Sequence, residues 1–106
     1  MALLGKGALL NWGGVLSKHD LDYNLWHSFE HMPERMSVKG FFRAFRCVGL
    51  KGTNDNDKYF MMYDVKNKDI LSSKQYLNRL NNPTDWTSKI LSKYVYPSRA
   101  ICELIK

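Results

Sequence analysis

The segment Trp26 to Arg35, WHSFEHMPER, gathers two histidines, two glutamates, a tryptophan and an arginine within ten residues. Three chemistries compete for it. The first is metal binding. His27, Glu30 and His31 match the H-x-x-E-H pattern, in which two histidines one turn apart hold zinc and the glutamate acts as base. Residues four apart do share a helix face. A catalytic zinc needs a third protein ligand, however, and the other histidine, His19, lies about two turns earlier on the same helix. The expectation is no metal site.

The second chemistry is proton transfer. Leu21, Leu25, Phe29 and Met32 recur at helical spacing and form an apolar stripe. At about 100° per residue, His31 falls at the flank of that stripe and His27 nearly opposite its centre. His31 is therefore expected to face a cavity and His27 to face solvent. An imidazole titrates near neutral pH and moves protons without a cofactor. Glu30 or Arg35 would orient it or bind an anionic substrate. The competing role for His31 is structural: bonding a carbonyl at the helix C-terminus, where a cation suits the dipole. The third reading concerns Glu34 and Arg35 alone. Just after a proline, they read as a solvated turn or a weak surface ion pair with no catalytic part.

The elements that must position these groups follow from pattern. Residues 5–16 read as a strand interrupted by a bulge or strand end at Gly13-Gly14. Ser17, with Asp20 three residues on, reads as the cap of the first helix. Pro33 is expected to end or kink that helix at about His31. FFRAFRCVGL alternates as a second strand, with Phe41, Arg43, Phe45 and Cys47 on one face and Phe42, Ala44, Arg46 and Val48 on the other. KGTNDND is a hairpin loop, and KYFMMYDV a third strand with Tyr59, Met61, Tyr63 and Val65 opposite Phe60 and Met62. Asp64, on the Phe60 face, is placed to pair with an arginine of the second strand. Residues 69–80 form a second helix with Ile70, Leu71, Leu77 and Leu80 as its apolar set. Thr84 caps a third helix carrying Trp86, Ile90 and Leu91, and RAICELIK closes as a fourth strand. The order β-α-β-β-α-α-β predicts an α+β, ferredoxin-like fold with a four-stranded antiparallel sheet. Apolar residues on both faces of the third strand require a second cover, most economically another copy of the same sheet.

Composition narrows the partners. With 106 residues, 44% apolar and 25% charged, the chain reads as a single soluble domain, 1–106. Its apolar opening is broken by Lys6 and four glycines, lacks a basic leader and a cleavage site, and is too short for a bilayer. The expectation is a cytoplasmic protein with no membrane partner. Cys47 and Cys102, in apolar surroundings, are expected as buried free thiols. The net charge of +6 is spread over sixteen Lys and Arg residues with no two adjacent, which argues against nucleic acid. Lys39-Gly40-Phe41 imitates the start of an RNA-binding RNP1 motif. Phe42 stands where that motif needs a small residue and Arg43 where it needs an aromatic, and the segment falls on the second strand rather than the third.

With order and motifs combined, the chain resembles the dimeric α/β-barrel superfamily, and within it EthD-like proteins. The resemblance rests on Trp26, His31 and Pro33 on the first helix and on Lys39-Gly40 at the turn, where Lys39 replaces the usual proline. A group of small proteins with EHMPER-, GFxRxxR- and NNPTxW-like segments is also similar, matching Glu30–Arg35, Gly40–Arg46 and Asn81–Trp86. The resemblance implies a homodimer with facing sheets and a small-molecule cavity in each subunit. Members of the superfamily include cofactor-free monooxygenases, isomerases, cyclases, lyases and haem-degrading enzymes, so fold alone does not choose a reaction.

The resulting expectation is a cofactor-independent enzyme on a small organic molecule, with His31 as the proton-transfer residue. Asn11, Trp26, Glu30, Arg46, Tyr63 and Trp86 are its candidate ligand-binding neighbours. The alternative is a binding protein for a hydrophobic or haem-like ligand, for which five methionines and fourteen aromatics suit an adaptable pocket.

Overall fold

The computed structural model describes residues 3–54 and 58–105. Strand β1 (Gly7–Val15) leads through a 3-10 turn (Ser17–His19) into helix α1 (Asp20–Trp26), a π-helical turn (His27–His31) and helix α2 (Met32–Met36). Strands β2 (Phe41–Val48) and β3 (Tyr59–Val65) follow. A second 3-10 turn (Lys68–Ser72) then precedes α3 (Lys74–Asn81), α4 (Asp85–Leu91) and β4 (Tyr94–Glu103). All strand pairings are antiparallel, in the order β2-β3-β1-β4. This is the ferredoxin-like arrangement. The hairpin loop expected at 51–57 lies partly outside the described residues, as does Lys106.

Cross-strand partners share a face, so register sorts the sheet. Leu9 opposite Tyr63, and Asn11 opposite Met61 and Arg99, look toward the helices. Leu10 opposite Met62, and Trp12 opposite Phe60, look away. The register slips between Trp12 and Gly14, where the double glycine puts the expected bulge. The core lies between sheet and helices. One cluster joins Leu9, Tyr63 and Val65 to Phe41, Leu71 and Tyr76, and a second joins Val15 to Tyr23, Trp26 and Ile90.

Strand β2 departs from simple alternation. A slip between Phe41 and Arg43 leaves Phe42 as the extra residue, so Phe41 shares the helix-side face with Ala44 and Arg46. Its ring packs on Tyr63 at 5.3 Å and Tyr76 at 5.7 Å between centroids. Arg43 points to the opposite face and meets Asp64 at 3.1 Å, the pairing expected from strand position. Asp64 also accepts the backbone N–H groups of Leu4 and Gly5 at 2.7 and 2.9 Å. Burial favours the protonated acid, but these donors prevail and hold its carboxyl below the usual range.

The first helix corrects three expectations. It does not stop at Pro33: the Met32 N–H reaches back five residues to the His27 carbonyl, and α2 carries on. The widened turn falls where proline would otherwise crowd the preceding turn, a known way to absorb such a residue. Ser17 makes no side-chain cap, and α1 starts three residues later. The stripe of Leu21, Leu25 and Phe29 faces outward, with Leu21 75% and Phe29 74% exposed. Tyr23, Trp26 and His27 are buried instead. Their rings offer more area against Val15, Ile90, Tyr59 and Tyr94, and the Trp26 indole N–H finds a partner in Thr87.

Two smaller corrections follow. The second helix is divided by Ser73, which caps α3 by accepting the Tyr76 N–H, while Thr84 caps α4 as expected. Cys47 is exposed rather than buried, and Cys102 lies on β4, at the opposite edge of the sheet from β2.

Candidate active site

Between the helix-side face of the sheet and the helices lies a cavity of about 300 Å³. Its wall is largely aromatic, with Tyr23, Tyr59, Tyr63, Tyr76 and Tyr94, and its polar groups include Asn11, His27, His31, Arg35 and Arg99. Among the described residues no aspartate or glutamate lines it.

His31 stacks on Trp26, 4.4 Å between centroids with planes 25° apart, and meets His27 edge-on at 5.1 Å. Behind Trp26, its indole N–H donates to Thr87 Oγ1 at 3.0 Å, and Thr87 Oγ1 donates to Glu30 Oε2 at 3.1 Å. Thr84 Oγ1 donates to the same carboxylate oxygen at 2.7 Å. A polar relay, buried at Trp26 and Thr87 and partly exposed at Glu30, therefore fixes the plane on which His31 rests.

Burial, then the Arg35 charge and the neighbouring His27, lower the His31 pKa from 6.5 to about 2. Burial, then the charge of Arg46 and to a lesser degree Arg35, lowers that of His27 to about 4. Both imidazoles are neutral at pH 7. Burial also raises the Tyr23, Tyr63 and Tyr94 phenols above their ordinary value, so the wall presents hydroxyls rather than phenolates. Two polar atoms on this wall, Tyr63 Oη and His27 Nδ1, are enclosed and have no hydrogen-bond partner among the described residues. Native interiors rarely leave such groups unmatched, and a bound molecule is one way to satisfy them.

The candidates chosen from sequence divide in two. His31, Tyr63 and Asn11 reach the cavity together. Trp26, fully buried, supports His31 from behind. Glu30 is held by Thr84 and Thr87, away from the imidazoles that the metal pattern would require it to join. Arg46 lies on the helix side but bonds Ser28 and Asn24 and covers the Tyr23 ring. Trp86 donates its indole N–H to Asp22 at 3.1 Å, as a packing anchor would. Among the described residues no group of three or more His, Cys, Asp or Glu is placed to hold a metal ion.

Sequence reasoning placed His27 in solvent and left Arg35 between a solvated turn and a partner of His31 or of an anionic substrate; both line the cavity. Arg35 is four residues after His31, and extending the helical period through Pro33 puts both on one face. Glu34 turns the other way and pairs with Arg79 at 3.3 Å.

No family model matches the chain, and no curated protein does. Solved structures do. A dimeric ferredoxin-like protein from an uncultured marine organism aligns over 96% of this chain and 90% of its own, at TM-score 0.69 and 11% identity. An antibiotic biosynthesis monooxygenase-type protein from Bordetella bronchiseptica aligns over 96% and 99%, at TM-score 0.65 and 11% identity. A MhuD variant, solved with two manganese protoporphyrin IX molecules per active site, aligns over 94% and 95%, at TM-score 0.65 and 12% identity. At such identities the likeness establishes the ferredoxin-like fold. No helix is long and apolar enough to cross a membrane among the described residues.

Proposed function

We propose that this chain is a cofactor-independent enzyme acting on a small organic molecule in the helix-side cavity, with His31 as the proton-transfer residue. The observation that carries the reading is a neutral imidazole, held on a rigid indole, facing an aromatic cavity. His31 would take a C–H or O–H proton from the substrate and become imidazolium, leaving an enolate or phenolate beside it. The two new charges would stabilise each other across a largely apolar wall. Return of the proton at another carbon isomerises the substrate. Cyclisation or elimination would start from the same anion, and oxygenation would consume dioxygen as a second substrate.

Asn11 and the unpartnered Tyr63 hydroxyl are the proposed polar contacts to the substrate. The unprotonated His27 stands beside the base as a proton acceptor of similar character. A homodimer completes the proposal. The outward sheet face shows Leu10, Trp12, Phe45, Phe60 and Met62, all only partly covered by their own chain. A second sheet would bury them; several similar structures are of dimeric proteins, and in sequence pattern the chain resembles EthD-like proteins and, better, the small proteins with EHMPER-, GFxRxxR- and NNPTxW-like segments. The free thiols Cys47 and Cys102 suit a cytoplasmic setting.

Storage of a haem-like ligand is the second reading, favoured by the porphyrin bound in one similar structure and by two unprotonated imidazoles that could ligate iron. The cavity, at about 300 Å³, sits at the lower end of ligand pockets and suits a one- or two-ring molecule better than a macrocycle. The test is turnover of a panel of enolisable ketones and hydroxylated aromatics by the wild type and by His31→Ala. Activity that survives His31→Ala unchanged would rule out the mechanism, and a stable Soret shift without degradation would favour storage.

A further inference from the structure

Arg35 is 8% exposed, lines the cavity, and holds its guanidinium carbon 5.6 Å from the centre of the Tyr76 ring. No carboxylate lies within ion-pair distance of it among the described residues. Glu34, its neighbour in sequence, is taken by Arg79 at 3.3 Å, and no acid among the described residues lines the cavity. A buried guanidinium without a counter-charge is costly, and stacking on one phenol ring recovers only part of that cost. On the rim, Arg99 donates to the Tyr76 hydroxyl at 2.9 Å, so a second cation sits at the far end of the same ring. The remaining wall groups are neutral imidazoles, hydroxyls, the Asn11 amide and apolar side chains. The cavity therefore has a fixed positive pole with no carboxylate among the described residues to balance it.

We infer that the cavity takes an aromatic carboxylate, whose carboxyl group pairs with the Arg35 guanidinium and whose ring lies among the cavity tyrosines. The inference rests on the cavity being the substrate site, and it adds the charge and the anchor of the substrate. The guanidinium fork matches a carboxylate with two parallel hydrogen bonds, which fixes orientation as well as affinity. It also couples binding to chemistry. A carboxylate on Arg35 offsets the positive field that now disfavours protonation of His31 and, more weakly, of His27. The base becomes stronger only when a substrate of the right charge is present.

Isothermal titration of the full chain with 2-naphthoate and with neutral 2-naphthamide tests the inference. The carboxylate is expected to bind the wild type about 10- to 100-fold more tightly than the amide. Arg35→Met should abolish that preference while leaving amide affinity nearly unchanged, and Arg35→Lys, which keeps the charge but loses the fork, should retain part of it. Should Arg35→Met fail to fold, the wild-type preference, with a naphthoate-induced shift of the Arg35 Nε–Hε resonance, decides the matter. Equal binding of the two probes, binding of neither, or a preference that survives Arg35→Met overturns the inference. His31→Gln is expected to keep the carboxylate preference. Intact preference with turnover independent of His31 would sink the catalytic reading alone, and His31-dependent turnover without the preference would sink this one alone.

Discussion

The imidazole of His31 lies on the indole of Trp26, 4.4 Å away and 25° from parallel, and the indole is in turn held by Thr87 Oγ1. The orientation of the candidate base is thus set by a hydroxyl on another helix. Thr87→Val preserves shape but leaves the indole N–H without its acceptor and Glu30 with one donor fewer. The expected cost is about 1–3 kcal/mol, as for other buried polar groups left unpaired. Urea unfolding monitored by tryptophan fluorescence would read it, and an unchanged midpoint would mean the relay contributes nothing.

Stability should depend on pH through the two cavity histidines. In the unfolded chain each imidazole titrates near 6.5, whereas in the folded protein His27 does so at about 4 and His31 at about 2. Between those limits the unfolded state binds protons that the folded state refuses. The contribution is complete above about pH 6.5 and is lost as the pH falls, at about 1.4 kcal/mol per pH unit for each histidine. Chemical denaturation at pH 7 and pH 5 measures it, with His27→Gln expected to flatten the slope. A midpoint that does not move between those pH values would show that the imidazoles titrate normally.

Tyr63→Phe should separate stability from binding. The hydroxyl is enclosed without a partner, so its removal is expected to stabilise the empty protein by roughly 1 kcal/mol. The same change should weaken a ligand that accepts or donates at that atom. Melting temperature in the absence of ligand and titration of 2-naphthoate give the two readings. A destabilised variant would mean that the hydroxyl is satisfied in the protein.

The outward sheet face offers a test of assembly. Met62 lies at its centre, between Leu10 of β1 and Phe45 of β2. Met62→Lys places an unmatched charge there and should weaken dimerisation by about tenfold or more. Light scattering across a concentration series would show the shift toward monomer. A dimer of undiminished affinity would place the contact elsewhere.

Much of the architecture was legible from local pattern. Element order, the alternation of β3, the irregularity at Gly13-Gly14, the Thr84 cap and the pairing of Asp64 with an arginine of β2, though not which one, depend on backbone geometry repeating every two or 3.6 residues. Those periods are written into neighbouring residues and need no knowledge of the rest of the chain. The helix facing was not legible in the same way, because α1 offers two competing stripes. Leu21, Leu25 and Phe29 make one, and Tyr23, Trp26 and His27 make the other. Only what lies across the interface chooses between them: Val15, Ile90, Tyr59 and Tyr94 accept the larger rings, and Thr87 meets the buried indole N–H.

That choice turned His27 inward and, through the π-helical turn that accommodates Pro33, brought Arg35 onto the same cavity wall. The ten residues from Trp26 to Arg35 could be recognised in the chain as chemically dense. Which of them share a cavity, and that the cavity carries Arg35 with no acid among the described residues to balance it, was decided by packing between segments far apart in sequence. Burial and the pairing of charges are properties of the folded whole, and a single stretch of chain does not contain them.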